Sequence, residues 1–317
     1  GIPSPEAFGE RLYRQLEPEA RLLFFKEGTA ATSALFERPD GEKVLYLNGI
    51  PEVQTDLQSL RTFKMMGALP CILHGDPRRA LVITFGAGIT TGTVARFSQR
   101  VDCVDLVREV REISTYFEEE TGRVLDRENV RLVINDARHH LMTTSQAYDV
   151  IVADATHPRG YDSWVLFTRE FYQMVRSRLD GNGVFCQWLP FHGMSTEQYM
   201  SIVNTFQQAF PHTSLWTVDG TYSLLTGTAL PLAIDVPEVK AVLRRDAVQS
   251  DLARVGLDSP YRLLAAFSMG PQGVERLTDN VSAVNTDDLP GNLFFSLDAT
   301  PVEQYRLWPL RTAQEVL

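Results

Sequence analysis

Over the first seventy residues apolar positions come in short bursts separated by turn residues. Residues 5–16, PEAFGERLYRQL, space their apolar side chains as an amphipathic helix does. Three strand-like runs follow between about 20 and 55. Pro39-Asp40-Gly41 supplies hairpin chemistry between two of them, so this region predicts a small antiparallel sheet. The segment DLQSLRTFKMMGALPCIL then predicts a helix ending near Pro70, whose ring lacks the N–H a helix needs.

From Arg79 the pattern becomes a regular alternation. ALVITF, RVDCVDL, VRLVIND, YDVIVAD and GVFCQWLP read as buried strands, with helical segments such as REVREISTYFEEETG and TREFYQMVRSRLDGNG between them. The helix STEQYMSIVNTFQQAF and two late β runs, TSLWTV and TYSLLTG, come next. The remaining residues read as helix and loop, through NTDDLPGNLFFS. Alternating β and α runs predict an α/β fold, a doubly wound parallel sheet covered by helices on both faces. Three segments are expected: 1–70 with the small sheet and connecting helix, 71–230 with the doubly wound sheet, and 231–317 as a helical and loop extension packing on it.

In open α/β sheets a ligand sits beyond the carboxyl ends of the strands, where the strand order reverses. The strand ends here carry chemistry. The first ends in Gly86-Ala87-Gly88, a turn bare enough for close backbone approach. The second ends in Asp105, placed to accept from two ribose hydroxyls, the third in Asp136, and the fourth in Asp154 with His157 close behind. A single strand-terminal Asp ordinarily caps a turn or a helix. Three acids and a glycine turn on four successive strand ends point to a nucleoside ligand. A dinucleotide fingerprint would place its third glycine at position 91, where the chain has Thr91. An acid after the third strand suits the exocyclic amine of adenine in an S-adenosyl ligand.

Composition narrows the partners. A formal charge of −10, from 30 basic and 40 acidic residues, disfavours nucleic acid and favours a cationic small molecule such as an amine. Cys71, Cys103 and Cys186 are too few and too scattered for a disulfide framework, and the six histidines lack metal-ligand spacing, so no metal is expected. No apolar run reaches the length of roughly 18 residues that a membrane span needs, and no signal peptide is evident.

From about Ala31 to Trp216 the chain resembles the spermidine synthase family of polyamine aminopropyltransferases, above all the spermidine synthase-like domains often fused to membrane segments. The matching pieces, in order, are LNG, a helix ending ALP, LVITFGAG, VDLV, VRLVINDAR, YDVIVADATHP, LFTREFY, GVFCQWLP and VNTDDLP. The resemblance implies a Rossmann-like, class I methyltransferase-like sheet with a small N-terminal β-sheet. It implies decarboxylated S-adenosylmethionine, or S-adenosylmethionine itself, as co-substrate. Gly86, Ala87 and Gly88 fall in the loop against its methionine-derived part, Asp105 matches the ribose acid, and Asp136 with Ala137 the adenine site. Asp154 matches the aspartate that takes a proton from the attacking amine.

The family pattern is broken at informative places. Ala87 stands where the family has the Asp that grips the donor's amine, His157 where it has a second acid, and Thr62-Phe63 where it has a Tyr-His or Tyr-Gln pair. His157 is therefore a second catalytic candidate, and Gln54, Tyr161 and Asp288 are candidates for the acceptor side. Tyr161 and Trp188 read as lid or wall residues, and Asp287 and Asp288 as acids able to fold back over the site or to form a solvated turn. The expected activity is aminopropyl transfer to an amine with release of methylthioadenosine. Methyl transfer or self-cleavage of intact S-adenosylmethionine, and ligand binding without turnover, are the alternatives. A homodimer and a cytoplasmic location are expected, with any membrane segment outside these residues.

Overall fold

The computed structural model describes residues 5–154, 157–158, 160, 163–218, 220 and 222–291. Helix α1 (Pro5–Tyr13) leads into an antiparallel four-stranded sheet, β1 (Arg21–Glu27), β2 (Thr32–Glu37), β3 (Lys43–Leu47) and β4 (Ile50–Gln54), in that spatial order. The β2–β3 turn falls where expected: Glu37 opposes Lys43, and Gly41 takes a φ of 89° that suits glycine. The fourth strand was not legible in the sequence. Pro51 and the Asn48-Gly49 turn make this stretch read as loop, yet β4 is an edge strand, where a missing N–H is tolerated.

Helix α2 (Leu57–His74) begins at Asp56, which accepts from the N–H groups of Gln58 and Ser59. It does not stop near Pro70 but runs one more turn to His74 and ends at Gly75, with φ 92°. The residues from Lys64 to Ile72 are all buried, and the helix packs on α3 (Ile89–Phe97) and on the central sheet. That burial outweighs the roughly 3 kcal/mol cost of an internal proline.

The central sheet has β5 (Arg79–Ile83), β6 (Arg100–Asp105), β7 (Val130–Ile134), β8 (Tyr148–Ala153), β9 (Leu179–Pro190), β10 (His212–Val218), β11 (Tyr222–Thr228) and β12 (Phe267–Met269), in the order β12-β10-β11-β9-β8-β5-β6-β7. The five strands β5 to β9 are parallel, as the alternation predicts. The late strands are not. β11 pairs antiparallel with β9, β10 with β11 and β12 with β10, so the sheet is mixed. A short β10–β11 connection permits only antiparallel pairing, because a parallel return needs a crossover of a dozen residues or more.

Alternation along the central strands sends side chains to two cores. Val82, Val152 and Cys186 face the α2 and α3 side, together with Val239, Val248 and Leu252 of α9 (Val236–Leu243) and α10 (Asp246–Ala253). Leu81, Ile83, Ile151 and Phe185 face the other side, against Tyr172 and Phe206. That face is covered by α6 (Ala137–Thr143), α7 (Arg169–Arg178), α8 (Thr196–Ala209) and α12 (Pro271–Thr278). The run after β6 is broken into α4 (Val110–Ile113), a 3-10 turn (Ser114–Phe117) and α5 (Glu118–Thr121) rather than one helix; α11 (Pro260–Leu264) lies in the extension. A buried Lys64–Asp251 ion pair of 2.5 Å, with Thr93 donating to the same carboxylate at 2.8 Å, fastens α10 to α2 and α3. Among the described residues no helix is long and apolar enough to cross a membrane.

Candidate active site

The strand order reverses between β5 and β8, and a cavity of about 670 Å³ lies beyond their carboxyl ends. It is lined on one side by the small sheet (Glu52, Val53 and Gln54 of β4) and on the other by the strand ends. Gly86, Ala87, Asp105, Asp136, Ala137, Asp154, His157 and Gln54 all line it. Topology thus brings together groups scattered over a hundred residues of chain.

The glycine turn is tied down by Asp105. Its Oδ2 accepts from the N–H groups of Phe85 (2.6 Å) and Gly86 (3.2 Å), and its Oδ1 from Val107 (2.7 Å). Asp105 is buried, which raises its pKa, while these backbone donors pull the other way. Gly86 and Gly88 have φ of 54° and 87°, and a Cβ on Gly88 would stand 2.5 Å from the Phe85 ring. Gly88 therefore serves the turn from behind, outside the cavity lining. Ala87 packs with Val53, Ile89 and Phe117 in a small core that joins β4 to the turn.

Asp136 begins α6 by accepting from the His139 N–H at 2.8 Å, and stays exposed beside Ala137. Capping and ligand contact are compatible, because a carboxylate has about four lone-pair sites.

Asp154 follows β8 at the point of reversal, its N–H donating to the Ile83 carbonyl at 3.0 Å. It keeps a partly open face, while the surrounding protein desolvates it and pushes its pKa up to about 7. A hydrogen bond from Thr90 at 2.7 Å opposes that rise and the charge of Asp105 adds to it. Ala153 is level with Gln187 on β9, so Asp154 and Trp188 follow side by side on the same face.

Trp188 belongs to a wall of rings. Its centroid is 5.7 Å from Tyr222, 6.3 Å from His192 and 6.4 Å from His157; His157 and His192 are 5.3 Å apart. His157 Nε2–H donates to the His192 carbonyl at 2.9 Å. A carbonyl brings no proton, so that nitrogen is a donor and not the base. Burial lowers the pKa of His192 and raises that of Tyr222, which keeps both neutral.

Sequence reasoning did not reach His192, Tyr222, Thr84 or Thr90. Only the β9–β11 pairing, Tyr222 opposite Pro190, brings the first two to the cavity. Thr62 and Phe63 line it from α2. Tyr161 lies outside the described residues. Asp288 is exposed and apart from the cavity lining, whereas its neighbour Asp287 binds Arg138 at 2.5 Å and accepts from Thr168 at 2.8 Å.

A family model described as the spermine/spermidine synthase domain matches residues 61–224, just over half of the chain. The chain belongs to the spermine/spermidine synthase domain family. The matched residues run from α2 to β11 and include every strand end described above. The chain is 27% identical over 183 residues to the polyamine aminopropyltransferase of Hamiltonella defensa, covering 57% of this chain and 61% of that protein. It is 30% identical over 155 residues to that of Erwinia tasmaniensis, covering 48% and 53%. The match thus spans between half and two thirds of these two relatives. To the polyamine aminopropyltransferase of Saccharolobus islandicus it is 27% identical over 259 residues, covering 78% and 84%.

Solved structures agree on the fold. A spermidine synthase in complex with the transition-state analogue AdoDATO superposes with a TM-score of 0.67 at 21% identity, over 82% of this chain and 89% of that one. The spermidine synthase of Thermotoga maritima gives 0.62 at 20% identity, over 82% and 87%.

Proposed function

We propose that this chain is a transferase that moves an aminopropyl group from decarboxylated S-adenosylmethionine to an amine and releases methylthioadenosine. The observation that carries this reading is Asp154: a desolvated carboxylate at the switch point, in one cavity with the Asp105-bound glycine turn and Asp136. Polyamine aminopropyltransferase relatives support the same reaction class.

In this reading Asp105 and the Asp136-Ala137 end of β7 hold the nucleoside. The reaction is an in-line displacement: the amine nitrogen bonds to the carbon beside the sulfonium, the carbon–sulfur bond breaks, and its electron pair neutralises sulfur. The leaving group is already good, so the protein supplies alignment and a neutral nucleophile. A primary amine with a pKa near ~10 arrives as ammonium. Asp154 binds that cation and takes a proton. With its pKa pushed up to about 7, ionised Asp154 increases as pH rises through neutrality, and turnover rises with it.

One observation favours a second reading. Ala87 sits in an apolar cluster, so the glycine turn offers no charge to a donor amine there. A donor retaining its carboxylate, intact S-adenosylmethionine, suits that uncharged turn. Incubation with each donor, with and without a panel of amines, followed by mass identification of products, separates the two. Methylthioadenosine plus an aminopropylated amine supports transfer. Methylthioadenosine from intact donor without an amine, or S-adenosylhomocysteine, replaces it with the second reading. Tight nucleoside binding with no product from either donor makes the chain a binding domain.

A further inference from the structure

Asp154 is held by two threonine hydroxyls that belong to other elements. Thr84, at the end of β5, donates to the main-chain carbonyl of Asp154. Thr90, in the first turn of α3, has its Oγ1 2.7 Å from Asp154 Oδ2 and 3.3 Å from the Phe63 carbonyl of α2. Both partners are acceptors and the hydroxyl has one proton, so the shorter contact to the charged carboxylate takes it when Asp154 is ionised.

Both threonines are fixed by their surroundings. Thr84 has φ 68°, a left-handed conformation that a β-branched residue rarely adopts. It is held there by its own N–H to the Val104 carbonyl at 2.8 Å and by the bond to Asp154. Thr90 is 1% exposed and outside the cavity lining. Its backbone lies where α2 and α3 touch: a Cβ on Gly67 would stand 2.9 Å from the Thr90 carbonyl oxygen. Helix α3 has no slack to carry the hydroxyl away.

We infer that Thr90 is a positioning residue for Asp154, pinning Oδ2 from behind so that Oδ1 is presented to the acceptor amine. Thr84 fixes the main chain of the same residue. This rests on the base role proposed for Asp154. The pinning also keeps the carboxylate ionisable where burial opposes charge, since a hydrogen bond to the charged form lowers the pKa. Among the described residues the other titratable groups coupled to Asp154 are Asp105, whose charge raises it, and the buried thiols Cys103 and Cys186, whose raised pKa keeps them protonated.

The test pairs a direct titration with kinetics. The Asp154 carboxyl is followed in ligand-free protein by infrared difference against Asp154→Asn, and kcat/KM is measured against pH with an amine acceptor. Thr90→Val keeps the shape and removes the donor. It should move the carboxyl titration and the acidic limb of the rate profile upward together by about one pH unit, and lower turnover at neutral pH roughly 5-fold. Nucleoside affinity should be unchanged. Thr90→Ser should restore both readouts, and Thr90→Cys, a weaker donor, should fall between. A wild-type titration in Thr90→Val, or a Ser variant as impaired as Val, overturns the inference. Full activity in Asp154→Asn would instead overturn the base role, a result the carboxyl titration tells apart because it needs no turnover.

Discussion

The two halves of the cavity are built by different means. On the β5–β6–β7 side the working groups are backbone and carboxylate: a glycine turn strapped by Asp105, and Asp136 at a helix start. On the β8–β9–β11 side they are one acid and a wall of rings, Trp188, His192, His157 and Tyr222. The first half suits a ligand with many hydrogen-bonding groups in fixed places. The second suits a flexible cation whose ammonium meets Asp154 while its carbon chain or a second charge lies against π faces. Under the proposed function the first half takes the nucleoside and the second the acceptor.

Asp154→Asn breaks the comparison most strongly. Asn keeps the shape and a hydrogen-bond acceptor but cannot take a proton, so turnover should fall by about 10²–10⁴-fold. Nucleoside affinity, which the proposed function assigns to the other half, should stay within twofold. The same variant should be more stable than wild type above neutral pH. Asp154 has a folded-state pKa raised to about 7, so it favours the folded state below the unfolded pKa near ~4, and that contribution is lost as pH rises through 7. Removing the charge relieves that loss. A denaturant titration at pH 6 and pH 8 checks it: the gain should appear at pH 8 and shrink at pH 6.

Asp105→Ala makes the reciprocal test. Removing a charged hydrogen-bond partner costs about 1–3 kcal/mol, or roughly 5- to 150-fold in nucleoside affinity by calorimetry. The loss should sit at the upper end, because the Phe85, Gly86 and Val107 N–H groups also lose their acceptor and the turn loosens. Acceptor KM at saturating donor should change little. An Asp105→Ala protein with wild-type nucleoside affinity would move the nucleoside elsewhere in the cavity.

A smaller effect is expected from Trp188→Ala. Aromatic contacts contribute about 0.5–1.5 kcal/mol beyond buried area, so acceptor KM should rise several-fold with donor affinity constant. Equal losses for donor and acceptor would mean that the ring wall serves both halves.

How far each half was legible in the sequence follows from how each is encoded. Glycine turn, Asp105, Asp136 and Asp154 each stand at the end of an apolar β-branched run, so strand pattern alone brought them to one edge. The ring wall depends on β11 entering the sheet antiparallel beside β9, which no local pattern around His192 or Tyr222 announces. Thr90 is illegible for a related reason: it reads as an ordinary residue of a helix's first turn, and only the crossing of α2 and α3 aims it at Asp154. Pro70 reads as the end of α2, but the burial of Lys64 to Ile72 carries the helix past it to His74.

The smallest effect is expected in the tail, where the neighbours Asp287 and Asp288 have unlike surroundings. Asp287 ties Arg138 of α6 to Thr168 at the start of α7, and its N–H donates to Glu170 at 3.0 Å. Arg138 holds the Asp287 carboxyl below its ordinary range. A depressed carboxylate stabilises above the unfolded pKa near ~4 and loses that contribution as pH falls through its folded value. Asp287 is 36% exposed, so solvent screens the pair, and Asp287→Asn should cost at most about 1 kcal/mol at pH 7, shrinking toward zero in acid. Asp288 is exposed and outside the cavity lining. Asp288→Asn should leave both stability and acceptor KM within experimental error. A KM rise in Asp288→Asn without a stability change would mean that the tail reaches the acceptor during turnover, and the ring half of the cavity would then gain a second acid.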